Sequence, residues 1–288
     1  MTVTTAIIPA AGWGTRMLPA SFSVPKELLP VFDRPSIEWV VAEAIASGIE
    51  RIVLVSGRGK SGLMDHFDRH AQLEAILQAS GKTEQAEAIA RRAQAAEFIE
   101  VRQGDPRGLG HAVLCGAVGV SGDRVAVLLP DDLYLGSTPA LGELIQLSDQ
   151  APKKGVIGLL AVPIEQSRKY GMVGGHWSNG SMMIDRLVEK PEPTDAPSSF
   201  AITGRYVLPI EVFDLLRNQG AGALGEIQLT DALQGLAGRH GMMGLIPQAG
   251  RFDAGDPEGL LIAGLRCALD HGSAQFAARA HAELERSV

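Results

Sequence analysis

Apolar positions follow two rhythms along this chain. Short unbroken runs, Ala6–Ala10, Arg51–Ser56, Phe98–Arg102 and Val125–Leu129, alternate with stretches whose apolar residues recur at helical spacing. Runs of this length, bounded by turn residues, predict strands with both faces buried. The helical stretches are Ser36–Ser47, a long segment from about Ser61 to Ala96 interrupted near Ser80-Gly81, and Leu109–Val118. Ser36, just after Pro35, is expected to cap the first of these, with Gly48 as its stop. Apolar strands separated by helices predict an α/β fold with a parallel sheet covered on both faces.

The second half is more mixed. Val156–Val162, Met182–Val188 and Phe200–Leu208 predict strands; Glu211–Arg217, Glu226–Leu236 and about Pro257 to Glu285 predict helices. Pro191–Pro197 is a turn or lid-like loop, too short for a domain linker. The chain is therefore expected to form one domain with a smaller lobe. Its first half spans about 1–135, its second about 136–256, and a helical segment about 257–288.

A parallel sheet opens its ligand site where the strands end. Ala6–Ala10 breaks into Gly12-Trp13-Gly14-Thr15-Arg16, and Val125–Leu129 into Pro130-Asp131-Asp132, so both turns should face one rim. A glycine turn after a strand presents backbone N–H groups to phosphate oxygens. Arg16 and Lys26 add two positive charges. A third glycine is missing for the dinucleotide fingerprint, and no Gly-Lys-Ser/Thr follows for a P-loop. The net charge of −7 argues against nucleic acid as partner, and makes each local cation informative.

Other candidates also sit at strand ends or in glycine-rich turns. Asp131 beside a phosphate loop suits Mg²⁺, which takes one or two carboxylates plus phosphate oxygens, and Asp253 is a candidate second ligand. Lys190, between Glu189 and Pro191, is denied a helical conformation and should project from a strand end toward a phosphomonoester. Gln103 offers an amide to a pyrimidine, and Gly108 and its neighbours allow close approach. His111 is expected to pack or cap rather than act as a base. His66 and His70, spaced i, i+4, lack a third zinc ligand and are expected on a solvated helix face. The pairs Met182-Met183 and Met242-Met243 are core filling.

Cys115 and Cys267, in apolar contexts without metal-ligand spacing, are expected to be buried free thiols in a reducing cytosol. Met1 to Thr5 lack a leader's pattern, and no apolar run approaches the ~20 residues that span a bilayer. The expectation is a cytoplasmic protein with no membrane partner.

Taken together, AAGWGTRMLPAS, PKELLPVFDRP, HFDRHAQLEAIL, RQGDPRGLGHAVLC, LLPDD, EKPEP, GRYVLP, GEIQLTDAL and FDAGDP resemble the bacterial UTP–glucose-1-phosphate uridylyltransferases, in that family's order from about Thr5 to about His271. The resemblance implies a Rossmann-like, mixed but mostly parallel sheet, Mg²⁺ dependence and homo-oligomers, dimeric or tetrameric. It implies that UTP and glucose 1-phosphate give UDP-glucose and pyrophosphate. On the family's pattern Ala10, Ala11, Gly12, Gly14 and Thr15 hold the nucleotide, Arg16 the pyrophosphate and Lys26 the triphosphate. Gln103 and Gly108 read uracil, Asp131 and Asp253 hold Mg²⁺, and Lys190 grips the sugar phosphate. Glu189, Gly171, Gly204 and Glu226 lie at the hexose.

Two positions depart from that pattern. Trp13 stands where an aliphatic residue is common, and Thr203 precedes Gly204 where another aliphatic one is usual. Inactive relatives lose the Thr-Arg of the loop, whereas Thr15 and Arg16 are intact here. Alternatives are a nucleotidyltransferase using dTTP or another hexose phosphate, a silent UDP-glucose-binding regulator, and a dinucleotide oxidoreductase, which the missing glycine disfavours.

Overall fold

The computed structural model describes residues 3–220 and 225–286; Met1 and Thr2, part of the stretch read above for a leader's pattern, lie outside the described residues. In chain order the first half contains β1 (Thr5–Pro9), β2 (Pro30–Val31), β3 (Arg34–Pro35), α1 (Ser36–Ala46), β4 (Arg51–Ser56), α2 (Gly62–Asp65), α3 (Ala71–Ala79), α4 (Thr83–Gln94), β5 (Glu97–Arg102), α5 (Leu109–Gly116) and β6 (Arg124–Leu128). There follow β7 (Asp132–Leu135), α6 (Ala140–Gln150), β8 (Gly155–Ala161), β9 (Gly171–Ser178), β10 (Ser181–Glu189) and β11 (Phe200–Pro209). The chain closes with α7 (Val212–Asn218), α8 (Leu229–His240), β12 (Met242–Leu245), β13 (Gly250–Asp253), α9 (Pro257–His271) and α10 (Ala274–Arg286).

One nine-stranded sheet runs β5-β4-β1-β6-β11-β8-β12-β10-β9. The first four neighbours pair in parallel; β10 and β11 run against the rest. Side chains alternate across a strand, so the unbroken apolar runs feed two cores. Ile8, Leu54 and Leu128 pack on one face with α1, α6 and α9. Ile7, Val53 and Val127 pack on the other with α5, α7 and α8. This double burial is why β1, β4 and β6 read as continuous hydrophobic stretches.

Several expectations shift. Ser36 is the first helical residue after Pro35 rather than the cap, and its buried hydroxyl donates to the Glu27 carbonyl at 3.1 Å. The long second helix is three helices, broken at residues 66–70 as well as near Ser80. His66 and His70 therefore belong to different helix ends: His66 pairs with Glu38 and His70 caps α3. Among the described residues no group of three His, Cys, Asp or Glu could hold a metal. The helix expected from Glu226 begins at Leu229 and extends to His240, because residues 226–228 are not helical and dock against the Gly108 turn. Cys267 is buried and Cys115 half-buried, and both are free. Among the described residues no helix is long and apolar enough to cross a membrane.

A two-stranded ribbon outside the sheet positions the site. β7 pairs antiparallel with β13, in a register that sets Asp253 opposite Asp132. The Ala254 amide then donates to the Asp131 carbonyl at 2.7 Å. Two segments remote in sequence are thus locked side by side.

Candidate active site

β1, β4, β5 and β6 are parallel, so the turns that follow them share one rim. After β1, Gly14 adopts a left-handed conformation (φ +67) that lets residues 12–16 double back. A Cβ there would lie 3.3 Å from the Cβ atoms of both Lys26 and Ser21. The Ser21 hydroxyl fixes the turn by donating to the Gly14 carbonyl at 2.7 Å. Trp13, at the apex, is 70% exposed. Ala11, Gly12, Trp13 and Lys26 form one wall of a cavity of about 490 Å³; Gln103, Gly108 and Glu226 line the other. Ala10 lies beneath this cavity with its backbone engaged on both sides, by Val55 and Lys60.

The amide expected to read a base is held firmly. Gln103 is buried, and its Nε2 lies 3.2 Å from the Gly108 carbonyl and 3.0 Å from His111 Nδ1. Burial and the Arg107 guanidinium push the His111 imidazole below its ordinary value, keeping it neutral. His111 therefore packs, as expected, and also orients Gln103. Gly108 is left-handed (φ +100), and a Cβ would stand 2.8 Å from the Ile227 carbonyl. Residue 227 bonds through its amide to Arg107 (2.8 Å) and through its carbonyl to Gly110 (2.9 Å). That docking joins the two halves of the chain.

The cations and carboxylates converge on the same rim. Lys26 Nζ lies 2.5 Å from Asp131 Oδ2, and Arg16 Nη2 lies 3.8 Å from the same oxygen. Burial alone would raise the Asp131 carboxyl, but Lys26 and Arg16 outweigh it and hold the group below its usual range. A Cβ built on Gly255 would sit 2.7 Å from Arg16 Nη2, 2.8 Å from Asp253 Oδ1 and 3.2 Å from Asp131 Oδ2. Asp131 and Asp253 thus lie close together and line one cavity, and two carboxylates with phosphate oxygens form a donor set that suits Mg²⁺.

Asp131 also borders a second cavity of about 300 Å³, which holds Arg16, Gly171, Glu189, Lys190, Gly204, Glu226 and Asp253. Glu189 ends β10 opposite Gly171 of β9 and accepts from the Thr230 hydroxyl at 2.6 Å. A Cβ on Gly171 would approach Glu189 Oε2 to 3.1 Å. Lys190 is left-handed (φ +45), an uncommon conformation for a residue before proline, and its side chain is 51% exposed toward the cavity. Its ammonium stands 3.7 Å from Glu189. The Pro191–Pro197 segment is a turn, pinned where Ser167 donates to the Pro191 carbonyl at 2.9 Å.

Sequence reasoning missed what lies behind these groups. Asp132 accepts from the Gly204 amide at 2.5 Å and pairs with Arg251, whose guanidinium also lies 3.5 Å from Asp253. Arg205, fully buried, binds Glu43 at 2.7 Å and donates to the carbonyls of Leu129, Gly204 and Asp132. The Thr203 hydroxyl accepts from Tyr134 at 2.7 Å, so it is tied into this frame. Adjacent aspartates were visible in the sequence; Arg205 and Arg251, which bind Asp132 from more than 70 residues away, were not.

The chain is similar to known proteins over most of its length. Residues 5–267 match the nucleotidyl transferase family. A protein of Bacillus subtilis named UTP–glucose-1-phosphate uridylyltransferase YngB is 44% identical over 88% of this chain and 86% of its own. A UTP-bound UGPase from Acinetobacter baumannii superposes with a TM-score of 0.89 at 38% identity, covering 99% of both chains. A UDP-glucose pyrophosphorylase complexed with UDP-glucose gives 0.84 at 34% identity, covering 94% of this chain and all of that one.

Proposed function

The chain belongs to the nucleotidyl transferase family, and from that premise we propose that it transfers the uridylyl group of UTP to α-D-glucose 1-phosphate, giving UDP-glucose and pyrophosphate. The observation that carries this reading is the convergence of Arg16, Lys26, Asp131, Asp253 and Lys190 on two adjoining cavities. Relatives named for this reaction, similar over nearly the whole chain, support the choice of substrates.

A phosphate monoester is already largely dianionic near neutral pH, so the attacking oxygen needs no general base. That oxygen forms a bond to the α-phosphorus while the bond to the bridging oxygen of pyrophosphate breaks, its electron pair leaving with pyrophosphate. Catalysis then rests on alignment and on charge placed in advance. Gln103 and the Gly108 turn receive the uracil, and the backbone of Ala11, Gly12, Gly14 and Thr15 the nucleotide, carried on Ala10, whose own amide and carbonyl are taken by Val55 and Lys60. Arg16 and Lys26 face the departing pyrophosphate. Lys190 holds the sugar phosphate, with Glu189, Gly171, Gly204 and Glu226 around the hexose. Asp131 and Asp253 would hold Mg²⁺, which when bound supplies neutralisation of phosphate charge.

The same reading divides the chain into a nucleotide half (1–135), a sugar half (136–256) and a C-terminal helical segment (257–288). It includes a cytoplasmic homo-oligomer, a dimer or tetramer, which light scattering on the purified protein tests. The reaction itself is tested by UTP- and Mg²⁺-dependent consumption of glucose 1-phosphate, run against galactose 1-phosphate and dTTP. Turnover with UTP and glucose 1-phosphate well above the other pairs is expected; equal or greater turnover with dTTP would refute the uridylyl assignment. Lys190→Ala should lower turnover about a hundred-fold or more at saturating substrates.

A further inference from the structure

Below the glycine turn lies a cation that the proposed reaction does not use. Lys60 follows β4 in the segment Gly57-Arg58-Gly59-Lys60 and is only 8% exposed. Its ammonium donates to the Ala10 carbonyl at 2.6 Å and to both oxygens of Glu27, at 2.9 and 2.8 Å. Glu27 is itself 2% exposed. Burial lowers the Lys60 ammonium from its ordinary value, and the Glu27 carboxylate opposes that. The backbone preceding Lys60 presses on the same turn: a Cβ on Gly57 would lie 2.9 Å from the Ala11 carbonyl.

We infer that Lys60 is a positioning residue for nucleotide binding, fastening the exit of β1 to the turn that carries Lys26. Ala10 leads directly into the glycine loop, and Glu27 is the neighbour of Lys26, whose ammonium reaches Asp131 at 2.5 Å. Loop amides and Lys26 must meet one triphosphate, yet they come from separate segments joined by the exposed stretch 18–24. A single ammonium bonded to both segments sets their separation. Misplacement by about 1 Å at a distance from the chemistry can cost on the order of a hundred-fold in rate. This inference rests on the proposed reaction.

The test removes the buried pair without leaving a charge behind. Lys60→Met/Glu27→Gln is compared with wild type in thermal melting, UTP binding by calorimetry and steady-state kinetics. The double variant should melt within a few degrees of wild type, while UTP affinity and turnover each fall about ten-fold or more. KM for glucose 1-phosphate, bound in the other cavity, should stay within about two-fold. Wild-type UTP affinity and turnover in the folded double variant would overturn the inference alone. If that variant does not fold, Lys60→Arg answers the question, since it keeps the charge against Glu27 but changes the reach to Ala10. Weakened UTP binding at an unchanged melting temperature supports the role; unchanged binding overturns it. Wild-type protein that releases no pyrophosphate from UTP would remove both the inference and the reaction it rests on.

Discussion

Lys26 donates to Asp131 at 2.5 Å, so a cation expected at the triphosphate and a carboxylate expected at the metal neutralise one another across the rim. Both side chains are largely shielded, which makes the contact count for more than a surface pair. Lys26→Met should therefore do two things. Turnover should drop by about two to three powers of ten, as for loss of one preorganised electrostatic group. The Asp131 carboxyl should also rise toward its ordinary range, with Arg16 at 3.8 Å as its remaining cation. Kinetics at saturating substrates, with circular dichroism to verify folding, checks the first; carboxyl titration by NMR checks the second.

Gly108 joins the halves by close approach. Its left-handed backbone and the Ile227 carbonyl, 2.8 Å from where a Cβ would be, leave no space for a side chain. Gly108→Ala should cost about 1–3 kcal/mol in stability. Because Gln103 bonds the Gly108 carbonyl, KM for UTP should rise as well. Chemical denaturation and initial rates against UTP measure the two effects. An alanine variant with wild-type stability would contradict the packing argument.

How far this was legible in the sequence follows burial. β1, β4 and β6 were visible because both faces are covered and their runs are unbroken. β9 (GMVGGHWS) escaped because its second half is exposed and three of its eight residues are glycine. The ribbon of β7 and β13 escaped because four-residue strands give almost no period to detect. At the site, residues at strand ends or in the turns that follow them were legible: Arg16, Asp131, Glu189 and Lys190 all line the smaller cavity. Those that hold them were not, since Lys60, Glu43, Arg205 and Arg251 find their partners only through tertiary packing.

His111 gives a pH dependence with a definite sign. Its imidazole sits below its ordinary value in the folded protein, through burial and then Arg107. At pH above the ordinary imidazole value both states are neutral there and its environment carries no penalty. As pH falls through that value, the unfolded chain takes up the proton first, so stability is lost; the loss levels off below the folded value. A single proton limits the slope to about 1.4 kcal/mol per pH unit. Melting temperatures from pH 8 to pH 5 should fall more steeply for wild type than for His111→Gln. Parallel curves would exclude this imidazole as a source.

Arg205 sits at the centre of the frame beneath the carboxylates. It is fully buried, binds Glu43 through two nitrogens, and donates to the carbonyls of Leu129, Gly204 and Asp132. Those carbonyls belong to the strand exit that carries Asp131 and to the β11 segment facing the smaller cavity. Arg205→Met leaves Glu43 buried without its cation, and loss of one partner from a buried pair costs about 3–5 kcal/mol. Glu43→Gln on top of it removes the stranded charge and should recover part of the stability. Turnover should recover less, because the guanidinium that ties the three carbonyls together would still be missing. Urea denaturation of the single and double variants measures the first difference, and turnover at saturating substrates the second. Activity returning in step with stability would mean that the arginine holds the core together without shaping the site above it.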